Sequence, residues 1–333
     1  MTGPPPFAAS LQRLEELQRG SELIAVLRSA LDSGLLGQLT EPCAPVLSGV
    51  SPQRIDAVLG LLASYDVVEQ VDAGWRLTDA WRPLVLGETW FDLEATLGLG
   101  RVRTEQVEKA LSVGEDYWQL SAQDRLLVAR GMSFDPASEQ ALDMVRRGLA
   151  DLPDAVTALE AGGAILELGC GVGSRITALL RAFPAARAVG VELAPDLVEA
   201  GRRRAELLGV ADRLTYVCAD AATYEPERDF DVVTWSQFFF PQHTRAGALR
   251  TAIQALRPGG WLTTPVVWDG TELAPGPEQQ EMAAERLVLD LWDVPLRTTE
   301  EVSAEVSAAG FTDVRVDSDA LVHFVRARKP GSA

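Results

Sequence analysis

A carboxylate two residues ahead of a glycine-rich turn carries the most chemistry in this sequence. Ile165-Leu166-Glu167-Leu168-Gly169-Cys170-Gly171-Val172-Gly173-Ser174 runs from an apolar, strand-like stretch into three glycines and then a helix-like stretch. Glycine lets the backbone turn sharply and lets a ligand approach where a Cβ would stand in the way. The N-terminus of the following helix offers it unpaired N–H groups. A Gly-x-Gly-x-x-Gly dinucleotide fingerprint needs its third glycine at position 174, where this chain has Ser174. Pyrophosphate is anionic, so Glu167 pointing into the turn disfavours it, whereas a ligand with an ammonium and a sulfonium gains from the same charge.

Further acids follow at strand ends. Val189-Gly190-Val191-Glu192 closes a second strand, and the Glu192 carboxylate can accept both ribose hydroxyls, the role of an acid about 20 residues past the glycines in nucleotide folds. Val217-Cys218-Ala219-Asp220-Ala221 closes a third, and Asp220 there can accept from an adenine amino group. Phe230-Asp231-Val232-Val233-Thr234-Trp235 forms a fourth, and Arg257-Pro258-Gly259-Gly260 turns into a fifth at Trp261. Ligands of open α/β sheets bind at such carboxyl ends. The charge at the turn favours S-adenosylmethionine over NAD. The candidate cofactor set is Glu167, Gly169, Gly171, Gly173, Glu192, Asp220, Ala221, Trp235 and Ser236.

This ordered set resembles the class I S-adenosylmethionine-dependent methyltransferases over roughly the last 180 residues. The resemblance implies that Glu167 is tied to the methionyl end of the cofactor, Glu192 to its ribose and Asp220 to its adenine. Gly169, Gly171 and Gly173 match the family's glycines. The N-terminal zone is similar to the winged-helix module of small-molecule O-methyltransferases of plant and bacterial secondary metabolism. That likeness implies homodimerisation and a cover over the active site.

Many such O-methyltransferases carry a general-base histidine shortly after the fourth strand. Here the segment reads Trp235-Ser236-Gln237-Phe238-Phe239-Phe240-Pro241-Gln242-His243, and registered on Arg257-Pro258-Gly259-Gly260 the histidine position falls at Phe238. The chain has two histidines. His323 reads as structural. His243 has two readings, a helix-capping residue or a base entering from a neighbouring loop, and it is the candidate catalytic residue. Holding a nucleophile in line supplies much of the barrier reduction for methyl transfer. A carboxylate, thioether, enolate or readily ionised phenol would need little or no base. Oxygen is the leading acceptor atom, with carbon and sulfur open.

Three zones must position these residues. Residues 1–99 are mostly helical. Leu11, Leu14 and Leu17, and then Leu23, Leu27 and Leu31, sit at helical spacing. Ser51 caps a helix with Pro52 at its first position and Ile55, Val58, Leu59 and Leu62 on its apolar stripe. Val67–Val71 and Trp75–Thr78 form a small hairpin, completing a winged helix-turn-helix pattern. Residues 100–152 read as a helical connector in which Tyr117, Trp118, Met132 and Phe134 serve as core. Residues 153–333 alternate strands and helices, which implies a parallel, Rossmann-like doubly wound sheet covered on both faces. The expected strands are Ala164–Leu168, Ala188–Glu192, Leu214–Ala219, Phe230–Thr234 and Trp261–Val267. The expected helices are Ser174–Phe183, Pro195–Leu208, Thr244–Leu256 and Thr299–Ala309. Val314–Asp317 and Leu321–Arg326, joined by Ser318-Asp319-Ala320, make a terminal antiparallel hairpin. The resemblance also implies that the connector and the insert around Asp269–Arg297 build the acceptor pocket.

Composition bounds the function. The 333 residues carry 48 acidic against 30 basic side chains, a net charge of −18. Such a surface repels phosphate backbones and anionic membranes, so neither nucleic acid nor a membrane is expected as partner. Cys43, Cys170 and Cys218 lie at no metal-ligand or disulfide spacing, so no metal is expected and a reducing cytoplasm is the expected setting. The expected partners are a small-molecule acceptor and a second copy of the chain. Two rivals stand beside methyl transfer. One keeps the cofactor but catalyses cyclisation, decarboxylation or hydroxylation. The other is a winged-helix DNA-binding regulator, disfavoured because Arg54 is the only cation on the would-be recognition helix Pro52–Ser64.

Overall fold

The computed structural model describes residues 7–111, 117–227, 229–318 and 323–331. The chain divides into two units, Met1–Leu97 and Gly98–Ala333. The stretch 100–152, expected as a separate connector, falls within the second unit.

The first unit contains α1 (Ala8–Asp32), α2 (Leu35–Gln38), α3 (Pro52–Ala63), the strands β1 (Val68–Val71) and β2 (Gly74–Leu77), and α4 (Arg82–Leu86). Helix α3 begins at its sequence signal: the Ser51 side chain accepts the Arg54 N–H, and Pro52 occupies the first position. Ile55, Leu59 and Leu62 form its buried face and join Leu27, Leu36, Val68 and Leu77 in one core. The hairpin pairs Val68 with Leu77 and Val71 with Gly74, leaving Asp72 and Ala73 as a two-residue turn. Both leucine series lie on one 25-residue helix, α1. Leu11, Leu14 and Leu17 are exposed, at 50, 52 and 57%.

After α5 (Leu93–Glu108) come a 3-10 turn at Tyr117–Gln119, then α6 (Ala122–Gly131), α7 (Glu139–Arg147) and α8 (Pro153–Glu160). The alternating part follows as β3 (Ala164–Leu168), α9 (Ser174–Ala182), β4 (Arg187–Glu192), α10 (Pro195–Leu207), β5 (Leu214–Cys218) and β6 (Phe230–Trp235). A 3-10 turn at Gln237–Phe239 leads to α11 (Gln242–Ala255), β7 (Leu256–Val266), α12 (Pro277–Leu291), α13 (Thr299–Ala308), β8 (Thr312–Ser318) and β9 (His323–Arg328). The seven-stranded sheet has the order β5-β4-β3-β6-β7-β9-β8. Its first five strands are parallel, and β9 runs antiparallel to β7 and β8. All five residues of β3 are buried, as a strand covered on both faces requires. On one face Ile165 and Val232 pack with Leu142, Leu159, Ile176 and Leu180 from α7–α9. On the other, Leu166, Val233 and Leu262 pack with Leu249, Val302 and Val306 from α11 and α13.

One expectation is corrected. The Arg257–Gly260 turn lies inside β7, which begins at Leu256 rather than Trp261. Its pairing to β6 slips between Phe230 and Val232, while Gly259 and Gly260 exchange backbone hydrogen bonds with Lys329, so the loop is a bulge of a longer strand. The insert at 269–297 contains a 15-residue helix, α12, opened by Pro277. The terminal hairpin is present at the sheet edge. Its expected turn at Asp319-Ala320, and Leu321, lie outside the described residues.

Candidate functional site

The glycine turn is tied to the end of β4, where the Gly169 and Cys170 N–H groups donate to the Val191 carbonyl at 2.9 and 3.1 Å. Its three glycines have φ of +71, +54 and +70° but do different work. A Cβ at Gly169 would lie 2.5 Å from the Phe240 ring, and one at Gly173 only 1.9 Å from the Tyr216 hydroxyl. Those two let side chains pack against the turn, and Gly173 also caps α9. A Cβ at Gly171 would meet nothing within 4 Å. Gly171 leaves backbone facing open space, the condition for close approach of a ligand.

Two buried carboxylates lie toward the ends of the strands that meet at this turn. Glu167 shares its face of β3 with Ile165, so it emerges beneath the first turn of α9. It is 2% exposed. Its Oε1 accepts the Ser236 hydroxyl at 2.8 Å, while Oε2 is buried with no partner. Burial raises its pKa to about 7, against the opposing pull of Arg175, Ser236 and the Ile176 N–H. Glu192 lies at the end of β4, with Oε2 accepting the Gly171 N–H at 2.9 Å and Oε1 the Ala194 N–H at 3.0 Å. Burial outweighs these bonds and raises this carboxyl also. Each Glu192 oxygen retains a lone pair for a further donor. Asp220, after β5, is half-buried and accepts the Ala222 N–H at 2.8 Å, an Asx turn that fixes the buried Ala221 beside it.

Trp235 ends β6 fully buried, and Ser236 follows it as the Glu167 partner. The three phenylalanines diverge. Phe240 joins the core under β3, and Phe239 packs on Tyr117, with ring centroids 4.5 Å apart. Phe238 is half-buried and belongs to neither group. Arg245 of α11 pins this segment. It pairs with Glu305 at 2.6 Å, donates to the Gln237 carbonyl and side chain at 3.2 and 2.9 Å, and lies 4.8 Å over the Trp235 ring. His243 stands exposed in the first turn of α11, with no hydrogen bond or ion pair among the described residues. His323 lies in β9, 4.0 Å from Asp269. The described residues contain no group of three His, Cys, Asp or Glu able to hold a metal.

Tyr117 and Trp118, expected as core, are buried or partly so. Their location is not legible in the sequence. Tyr117 is raised above its ordinary pKa by burial and by the nearby Glu192 charge. Trp118 packs with Val172 of the glycine turn and with Ala194 and Leu197 beyond β4. Arg125 holds them there. It forks onto Asp196 at 3.0 and 3.2 Å and donates to the Trp118 carbonyl at 3.4 Å. These partners lie 71 residues apart in the chain, and no local spacing announces them.

Comparison with known proteins agrees with this geometry. Residues 165–260 match a family model described as a methyltransferase domain. A trans-aconitate 2-methyltransferase of Methylobacterium radiotolerans is 34% identical over 31% of this chain and 38% of its own length, so the match spans well under half of that relative. The solved structure of the mitomycin 7-O-methyltransferase MmcR is similar with a TM-score of 0.68 at 20% identity, over 96% of this chain and 99% of that one. Human N-acetylserotonin methyltransferase, solved in complex with S-adenosylmethionine, gives 0.67 at 15% identity over the full length of both. The chain shares its fold with these two structures.

Proposed function

We propose that this chain, whose residues 165–260 form a methyltransferase domain, transfers a methyl group from S-adenosylmethionine to an oxygen of a small secondary metabolite. The observation that carries the reading is Gly171, whose backbone faces open space while its N–H is held by the buried Glu192. Similarity to enzymes named for trans-aconitate, mitomycin and N-acetylserotonin supports a small acceptor.

The residues present suit this cofactor. The unpartnered Glu167 Oε2 offers an acceptor to an ammonium, and the Glu192 oxygens to ribose hydroxyls. Asp220 and the Ala221 backbone would face the adenine, while Trp235 and Ser236 hold the floor and orient Glu167. When bound, the cofactor supplies a methyl already activated on a sulfonium. The chain's part is to hold an oxygen nucleophile in line and to keep water out. Tyr117, Phe239 and Trp292 form an apolar cluster suited to the second task.

Phe238 stands where related enzymes carry a basic histidine, so the favoured acceptor oxygen is one that needs no deprotonation or ionises readily. His243 remains the candidate base, and His243→Ala tests it; retained activity removes the role. The N-terminal unit serves as a winged-helix dimerisation module, supported by the exposed leucines of α1. The dimer acts in the cytoplasm, a reading supported by the free cysteines and by the fact that no helix among the described residues is long and apolar enough to cross a membrane. Incubation with methyl-labelled S-adenosylmethionine and a panel of small carboxylic acids and phenols tests the activity. Label in an ester or ether product supports it, and release of a product that keeps no label would point to another reaction on the same fold.

A further inference from the structure

Arg175 is the second residue of α9, two residues past the last glycine of the turn. Its guanidinium lies 5.3 Å over the Phe324 ring and makes no hydrogen bond or ion pair among the described residues. A guanidinium keeps its charge and presents five donors. Arg175 is half-buried and none of its nitrogens is enclosed without a partner, so the guanidinium is within reach of an incoming anion. Burial lowers its pKa, opposed by the Glu167 charge.

Glu167 completes the pattern. It feels the Arg175 charge, yet the two form no ion pair. Ser236 fixes one carboxylate oxygen, the other is buried without a partner, and the guanidinium rests over the Phe324 ring. Two opposite charges thus stand one just before and one just after the glycine turn without pairing. The ligand chemistry that satisfies both is an α-amino acid, with its ammonium on the acid and its carboxylate on the arginine.

We infer that Glu167 and Arg175 together receive the amino-acid end of the cofactor, with Arg175 taking its carboxylate in a forked hydrogen bond. This rests on the proposed use of S-adenosylmethionine. The family resemblance assigns Glu167 alone to that end. A carboxylate on the acceptor is the other source of the same chemistry, and the test separates the two.

The wild-type chain, Arg175→Met and Arg175→Lys are titrated calorimetrically with S-adenosylhomocysteine. They are also titrated with methylthioadenosine, the same nucleoside thioether without the amino-acid group. The expected result is a loss of about 10- to 100-fold in S-adenosylhomocysteine affinity for Arg175→Met, the range of a lost charged hydrogen bond. Arg175→Lys should recover part of it, and methylthioadenosine binding should stay unchanged in all three, which also reports an intact fold. Unchanged S-adenosylhomocysteine affinity in Arg175→Met overturns the inference. So does an equal loss for both ligands, or an effect confined to the KM of a carboxylate acceptor. A wild-type chain that binds neither ligand instead overturns the proposed function itself.

Discussion

Gly171 and Gly173 share a backbone conformation and differ in what stands in front of them. An alanine at either position pays for a left-handed φ, about 1–3 kcal/mol. At Gly173 it also collides with the Tyr216 hydroxyl. Gly173→Ala should therefore lower the thermal midpoint of the free protein markedly. Gly171→Ala should fold with a modest loss and bind S-adenosylhomocysteine at least about tenfold more weakly, because the new methyl fills the ligand's path. Equal effects of the two on ligand binding at matched stability would contradict the distinction. At Glu192, replacement by alanine removes the proposed ribose acceptor and should weaken the same ligand by more than about tenfold. The carboxyl of Glu167 sets a pH dependence. Its pKa of about 7 in the free protein lies above the ordinary 4.5, and only the ionised form attracts an ammonium. Affinity should therefore rise as pH climbs through about 7 and level off above it, with the proton leaving as the ligand binds. Glu167→Gln should flatten the profile; a wild-type profile already flat across neutrality would rule this account out.

Among the elements, the segment between β6 and α11 is tied to α11 and α13 by one side chain. Arg245 is 1% exposed and joins Gln237, Trp235 and Glu305. Arg245→Met leaves Glu305 without that partner and should cost about 3 kcal/mol in denaturant unfolding. Glu305 is 22% exposed and also lies 3.4 Å from Arg297, which together hold the cost to the lower end of the usual range. A change below about 0.5 kcal/mol would show that the segment is held by its apolar contacts instead. The β3 and β6 strands were legible because continuous apolar runs leave little else to do than lie between two helical layers. The β7 start was not, since Arg257-Pro258-Gly259-Gly260 has turn composition and becomes strand only because Lys329 pairs with its backbone 70 residues later. Helix α12 carried a start signal at Gly276-Pro277 but too weak an apolar stripe to stand out, with only Val288 and Leu289 buried. The acids Glu167 and Glu192 could be read from their offsets to the glycine turn. Arg175, Arg125 and the Ser236 bond to Glu167 could not, because each acts through a partner fixed by the tertiary fold.

For the whole molecule, the net charge of −18 and the exposed leucines of α1 point in different directions. The charge keeps copies of the chain apart in low salt, while an apolar stripe on a surface helix is costly unless covered. The proposed dimer resolves this by covering the stripe. Sedimentation should give a dimer whose association strengthens with salt, and Leu14→Glu with Leu17→Glu should give a monomer that still binds cofactor. A wild-type monomer at micromolar concentration would refute the dimer and leave the cofactor site untouched. That site holds the central claim, and calorimetric titration of the wild-type chain with S-adenosylhomocysteine tests it most directly. The account predicts saturable binding at one site per chain in the micromolar range, about −8 kcal/mol, lost in Glu192→Ala. No heat of binding from a folded protein would contradict it.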